Sequence, residues 1–196
     1  MYKRVFAFGC SMTKYAWPTW ADIYGSDFPE YYNYGRSGGG NQFISNQIVE
    51  ASIKHNIGEG DLLLIMWTGY TRLDTYQQWG WNTPGNIYTQ DTYDNNIQEL
   101  YTPRGFMIRD CATIKMAEAY LNSLDCDSKI FTMCNLYDPD HRYDTEEKDY
   151  DVANFYNIHY TSFHEFLNFK WPEIDCSQRG DIYDYHPDPK MHYEFL

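Results

Sequence analysis

No Cys-x-x-Cys pair occurs in this sequence, and its five cysteines (Cys10, Cys111, Cys126, Cys134 and Cys176) are odd in number and widely spaced. A disulfide framework and a cysteine-held zinc site are therefore not expected, and the cysteines read as small buried apolar side chains in a reducing compartment. Basic residues are scarce: 15 Lys and Arg stand against 28 Asp and Glu, a formal charge of −13. Nucleic-acid phosphates and anionic membranes both demand a basic face, so neither partner is expected. Long apolar runs are missing too. Nothing approaches the ~20 residues of a membrane span, and the run in "MYKRVFAFGC" is too short for a signal peptide, which predicts a cytoplasmic protein. Linkers, repeats and low-complexity tracts are absent, so residues 1–196 read as one domain.

What the chain has in quantity is aromatic side chains: 20 Tyr, 11 Phe and 6 Trp. Tyrosine combines an apolar body with a polar tip, which suits a groove or surface as well as a core. The apolar runs "KRVFAFG" (3–9), "EYYNYG" (30–35), "DLLLIMWTG" (61–69) and "SKIFTMCNL" (128–136) predict strands. Phe43, Ile44, Ile48, Ala51 and Ile53 recur at roughly helical spacing, with Gly58 as a stop. "DCATIKMAEAYLNSL" (110–124) predicts a helix capped by Asp110, and 152–167 predicts another. Residues 75–105 are aromatic, punctuated by Gly and Pro, and long for a loop. Strands alternating with helices predict an α/β fold with a mainly parallel sheet and helices on both faces. Ligands in such folds gather beyond the carboxyl ends of the strands. Gly9–Ser11, Gly35–Asn41 and Thr68–Arg72 all follow strand candidates and are expected to converge on that rim.

"FAFGCSMT", "NYGRSGGGN", "MWTGYTR" and "DYHP" fall in the order and spacing of the sequence blocks of the SGNH, or GDSL, hydrolases, which the chain resembles through these islands. The resemblance implies a three-layer α/β/α fold with a flavodoxin-like central sheet and a cofactor-free esterase. "GCS" stands where the family has Gly-Asp-Ser. With Cys in place of that Asp, the chain resembles small bacteriophage sequences, for which a virion-associated location is the alternative expectation.

On their own chemistry, Ser11 is a hydroxyl at a strand end, His186 a base able to take its proton, and Asp184 a group able to fix the imidazole tautomer. Ser11 also reads as a helix N-cap. His192 is a second candidate base, in "DPKMH" with Asp188, and Asp181 is a second candidate orienter. The family more often separates its Asp and His by two residues; here one intervenes. Cys10, adjacent to Ser11 on a strand end, is expected to pack inward. His141, His159 and His164 lack ligand spacing, so no metal is expected.

The resemblance implies that the backbone N–H groups of Ser11 and Gly38 hold the oxyanion. A glycine-rich turn before a helix also suits a phosphate, but "RSGGGN" lacks both the P-loop ending and the dinucleotide spacing. The family's third block supplies an asparagine donor, whereas "TGYTRLD" puts Tyr70 there. Asn41, Thr68 and Tyr70 are the alternative donors. Arg72 reads either as a ligand for a carboxylate or sugar hydroxyl or as half of an ion pair. The expected activity is hydrolysis of an acyl or acetyl ester, with a carbohydrate ester as the guess at substrate. The alternatives are an inactive binding or structural module of the same fold, for instance in a phage particle, and a flavodoxin-like nucleotide binder.

Overall fold

The computed structural model describes residues 2–87, 99–134, 136, 151–166 and 186–196. Along the chain run β1 (Arg4–Phe8), α1 (Trp20–Gly25), β2 (Glu30–Asn33), α2 (Asn41–His55), β3 (Asp61–Trp67), β4 (Thr75–Gln77), β5 (Gly80–Asn82), α3 (Pro103–Leu121), β6 (Asp127–Thr132), α4 (Asp151–Tyr156), α5 (Phe163–Phe166) and α6 (Pro189–Glu194). Four of the strands form one sheet in the order β2-β1-β3-β6, and β4 pairs with β5 in a separate hairpin. Every pairing in the larger sheet is parallel, with Val5 opposite both Tyr31 and Leu62, and Leu64 opposite Lys129. The fold is therefore α/β with a mainly parallel central sheet, as the sequence predicts.

Side-chain alternation along the strands divides the core in two. Phe6, Phe8, Leu63, Ile65 and Trp67 point to one face, where Ile44 and Ile48 of α2 and Phe106, Ile114 and Ala117 of α3 cover them. Val5, Ala7, Leu62, Leu64 and Met66 point to the other, under Trp20 and Ala21 of α1, Phe163 of α5 and Phe195 at the end of α6. β3 is buried at all seven positions because it lies between two strands and two helical layers. That is why it reads as an unbroken apolar run.

Three elements differ from the sequence expectation. The long helix starts at Pro103 rather than Asp110: the Thr102 side chain accepts from Gly105 N at 3.0 Å and proline occupies the first turn, which needs no N–H there. Asp110 is consequently inside the helix and buried. Residues 75–105 contain the β4–β5 hairpin and the start of α3, although 88–98 lie outside the described residues. Finally, the expected 152–167 helix is two short ones, parted by Asn157 in the left-handed region (φ 51°).

The strand order switches sides at β1, with β2 on one side and β3 on the other, and in parallel α/β sheets the ligand crevice lies beyond the carboxyl ends of the strands at such a point. Gly9–Ser11 and Thr68–Arg72 flank it.

Candidate active site

The turn that carries Ser11 is built by its neighbours' sizes. Gly9 has no room for a Cβ, which would collide with the Thr13 side chain. This close approach lets Thr13 N and Lys14 N both donate to Cys10 O, at 3.0 and 3.1 Å, closing a tight turn straight off β1. Ser11 therefore sits in a turn and caps no helix; α1 begins only at Trp20, with Thr19 as its N-cap. Cys10 points into the second core and is fully buried, its thiol 3.6 Å from Met133 Sδ. Ser11, the next residue, is 6% exposed, and its Oγ lies 2.9 Å from His186 Nε2.

A serine and a histidine 175 positions apart thus meet at hydrogen-bond distance. The His186 ring is held from one side by Tyr15, stacked at 3.9 Å between centroids and 23° between planes. Trp17 packs edge-on against Tyr15 and donates from Nε1 to Pro187 O at 2.9 Å. Asp184 and Asp181 lie outside the described residues. His192 does not reach the serine. It is buried beside Phe163, its rings 5.3 Å apart, while Asp188 caps α6 by accepting from Met191 N. Burial pulls the His192 ring down to about 4, against a weaker opposing pull from Asp188.

That depressed value carries a sign. The unfolded histidine binds a proton below about 6.5 whereas the folded one resists it until about 4. Its contribution to stability is thus complete above pH 6.5 and lost as pH falls through 4. Relative to His192→Gln, the wild type should lose about 2 kcal/mol between pH 7 and pH 4.5, read from urea midpoints at both values. Equal losses in the two proteins would refute the assignment.

The glycine-rich loop follows β2, which pairs with β1 on the side away from β3. Gly38 adopts φ 72°, a conformation that glycine takes without strain, and a Cβ there would strike Thr83 O. Thr83 also donates from Oγ1 to Ser37 O at 2.9 Å, so the segment after β5 is fastened to this loop. Asp74 reaches in to accept from Gly40 N and Phe43 N, each at 2.9 Å, and so caps α2 from a distance in sequence. Burial raises its carboxyl above the usual range, and those two backbone donors oppose the rise.

Asn41 is not a spare donor. Its Nδ2 donates to Thr68 O at 2.9 Å and to Asp110 Oδ2 at 3.0 Å, and its Oδ1 accepts from Thr68 N at 2.9 Å. Both amide hydrogens are spent joining α2, the end of β3 and α3, which corrects its reading as an oxyanion donor. Asp110 also takes Arg109 Nε at 2.7 Å. Burial lifts the Asp110 carboxyl to about 6, with Arg109 and Asn41 opposing. Arg109 in turn donates from Nη2 to Arg72 O, and Arg72 Nη1 donates to Gly39 O at 2.8 Å. Arg72 therefore braces the glycine loop through a carbonyl.

Thr68 is fully buried, with its hydroxyl 3.6 Å from Met133 Sδ. Tyr70 is buried in the first core cluster. Between Tyr70 and Arg72, Thr71 holds φ 79°, an outlier for a β-branched residue, and its buried hydroxyl has no hydrogen-bond partner among the described residues. Sequence reasoning missed Tyr15, Trp17, Asp74, Arg109 and Met133; only Asp74, in "TRLD", stood inside a block already singled out. Among the described residues, no group of three His, Cys, Asp or Glu side chains can hold a metal ion. Nor is any helix among them long and apolar enough to cross a membrane.

No protein-family model matches the sequence, and no curated protein matches it. Solved structures do. A lipolytic protein of the G-D-S-L family from Desulfitobacterium hafniense superposes with a TM-score of 0.52 at 14% identity, covering 98% of this chain and 95% of that one. The chain has the SGNH/GDSL hydrolase fold. A second G-D-S-L family lipolytic protein, from Veillonella parvula, gives 0.50 at 15% identity over 98% and 93% of the two chains. Axe2, an acetylxylan esterase from Geobacillus stearothermophilus, gives 0.52 at 13% identity over 98% and 90%. Catalytic mutants of Axe2, one with a serine and one with a histidine replaced by alanine, also match. In this SGNH/GDSL frame, the Ser11–His186 contact lies beyond the carboxyl end of β1.

Proposed function

We propose that the protein is a serine esterase, and the observation carrying this reading is the 2.9 Å approach of His186 Nε2 to Ser11 Oγ. His186 takes the Ser11 proton as Oγ attacks the ester carbonyl carbon, and the carbonyl electron pair moves onto oxygen. The N–H groups of Ser11 and Gly38 receive that charge. Asp184 orients the imidazole. Collapse of the intermediate expels the alcohol, which takes the proton from His186. Water then gives a proton to the same nitrogen and attacks the acyl-serine, releasing the carboxylic acid and restoring the Ser11 hydroxyl. The mechanism uses no cofactor.

An O-acetylated carbohydrate is the substrate class that the surroundings favour. The β4–β5 hairpin bears Tyr76, Trp79 and Trp81, with Trp79 92% exposed between the two strands. Trp81 stands edge-on to both Phe43 and Tyr76. Downstream, Thr83 fastens this segment to the loop bearing Gly38. An exposed indole on a hairpin fastened to the glycine loop suits a sugar ring, and one matched structure is an acetylxylan esterase. Acetate release from acetylated xylo-oligosaccharides, compared with p-nitrophenyl acetate, tests the assignment. Trp79→Ala should raise KM about fivefold on the oligosaccharide and leave p-nitrophenyl acetate unchanged, since stacking on an exposed ring is worth roughly 1 kcal/mol. Equal effects on both substrates would remove the carbohydrate assignment.

A further inference from the structure

The loop that follows Ser11 does more than turn the chain. Thr13 O accepts from Thr19 Oγ1 at 2.6 Å and from Asn33 Nδ2 at 2.8 Å, and Asn33 Nδ2 also reaches Asp22 Oδ1 at 2.8 Å. Lys14 Nζ reaches Asn33 O at 3.2 Å. Residues 13 and 19 are thereby tied to α1 and to the end of β2. Tyr15 and Trp17 stand between those ties, and both contact the segment that carries His186: Tyr15 by its ring face, Trp17 by its indole N–H on Pro187 O.

We infer that Tyr15 is a positioning residue for His186, with Trp17 locking the adjoining backbone, so that the nucleophile's own loop sets the placement of the base. This rests on the serine-esterase reading above. The physical case is geometric. A proton transfer needs the imidazole nitrogen aimed at Oγ, and an imidazole is free to rotate about two torsions unless something fixes its plane. The Tyr15 face, 3.9 Å away and within 23° of parallel, fixes that plane. It also presents a π-face to the imidazolium that forms when Ser11 gives up its proton. Through Gly9–Ser11 the same loop fixes Oγ, so one short stretch references both reacting atoms to the end of β1. The ring alone supplies both effects, and the phenol oxygen is not needed for either.

The test uses the full-length chain and a fluorophosphonate as probe. The second-order labelling rate of Ser11 should fall about ten- to a hundred-fold in Tyr15→Ala and in the bulkier Tyr15→Leu, and stay at the wild-type level in Tyr15→Phe. Trp17→Phe, which removes the donor to Pro187 O, should fall by a smaller factor. In parallel, the His186 ring-proton resonances, assigned against His186→Ala, should lose an upfield ring-current shift in Tyr15→Leu and keep it in Tyr15→Phe. Wild-type labelling by folded Tyr15→Leu, or a Phe variant as slow as Leu, would overturn the proposal. A wild-type chain that never labels while its His186 resonances still respond to Tyr15 would overturn the esterase reading, and the stack's part in proton transfer with it.

Discussion

Ser11→Ala is expected to lower ester hydrolysis by at least ~10⁴-fold, and His186→Ala by a similar factor. The two groups act as one unit, since the serine is a poor nucleophile without its base and the base has nothing to activate without the serine. Their effects should therefore not multiply: the double variant should be no slower than the slower single one. Stability is a separate matter. Ser11→Ala removes a hydroxyl from a formed turn whose backbone bonds, Thr13 N and Lys14 N to Cys10 O, do not involve that side chain. The urea midpoint should shift by less than the equivalent of about 1 kcal/mol. Steady-state rates on p-nitrophenyl acetate and urea melts of the three variants check both halves. Multiplicative losses would mean that the serine and the histidine act independently.

The second large effect lies in Asn41, on stability. Replacing Asn41 with Leu leaves Thr68 N and Thr68 O, both in a fully buried residue, without their amide partner, and takes one donor from the buried Asp110. Buried polar groups left unpaired cost about 1–3 kcal/mol each, so a loss of about 3–4 kcal/mol is expected, out of a typical total of 5–15. The Asp110 carboxyl should also move further above its value of about 6, because Asn41 is one of the groups holding it down. A raised carboxyl contributes stability at low pH and loses that contribution as pH rises through the folded value. The deficit of Asn41→Leu should thus be larger at pH 8 than at pH 5, measured by urea unfolding. A variant within about 1 kcal/mol of wild type at both values would show that the amide does not join these three elements.

How far these features were legible in the sequence depends on the range of the interactions that make them. β1 and β3 declare themselves because each is buried on both faces and must be apolar throughout. Ser11 stands out because it ends such a run, and His186 because Asp184 and Pro187 frame it in a recognisable block. Asn41 did not reveal its part. Its three partners are Thr68 N, Thr68 O and Asp110, and nothing in "RSGGGN" shows that the amide will be consumed by residues 27 and 69 positions away. Asp110 misled for a related reason. An aspartate before an apolar run is the ordinary mark of a helix start, but a charged residue can stand inside a helix once Arg109 and Asn41 pair with it. The true start, Thr102-Pro103, was camouflaged by the aromatic and glycine-rich stretch around it. Tyr15 and Trp17 were lost among 37 aromatic residues; only the return of the distant His186 segment gives those two a partner.

Intact-mass analysis after fluorophosphonate treatment detects an activated serine without requiring the substrate to be known. One adduct is expected on the wild type, located at Ser11, and none on folded Ser11→Ala or His186→Ala. A folded wild type that takes up no reagent, or an adduct that persists in His186→Ala, would contradict the serine-esterase reading: the 2.9 Å contact between Ser11 and His186 would then be a hydrogen bond without catalytic consequence.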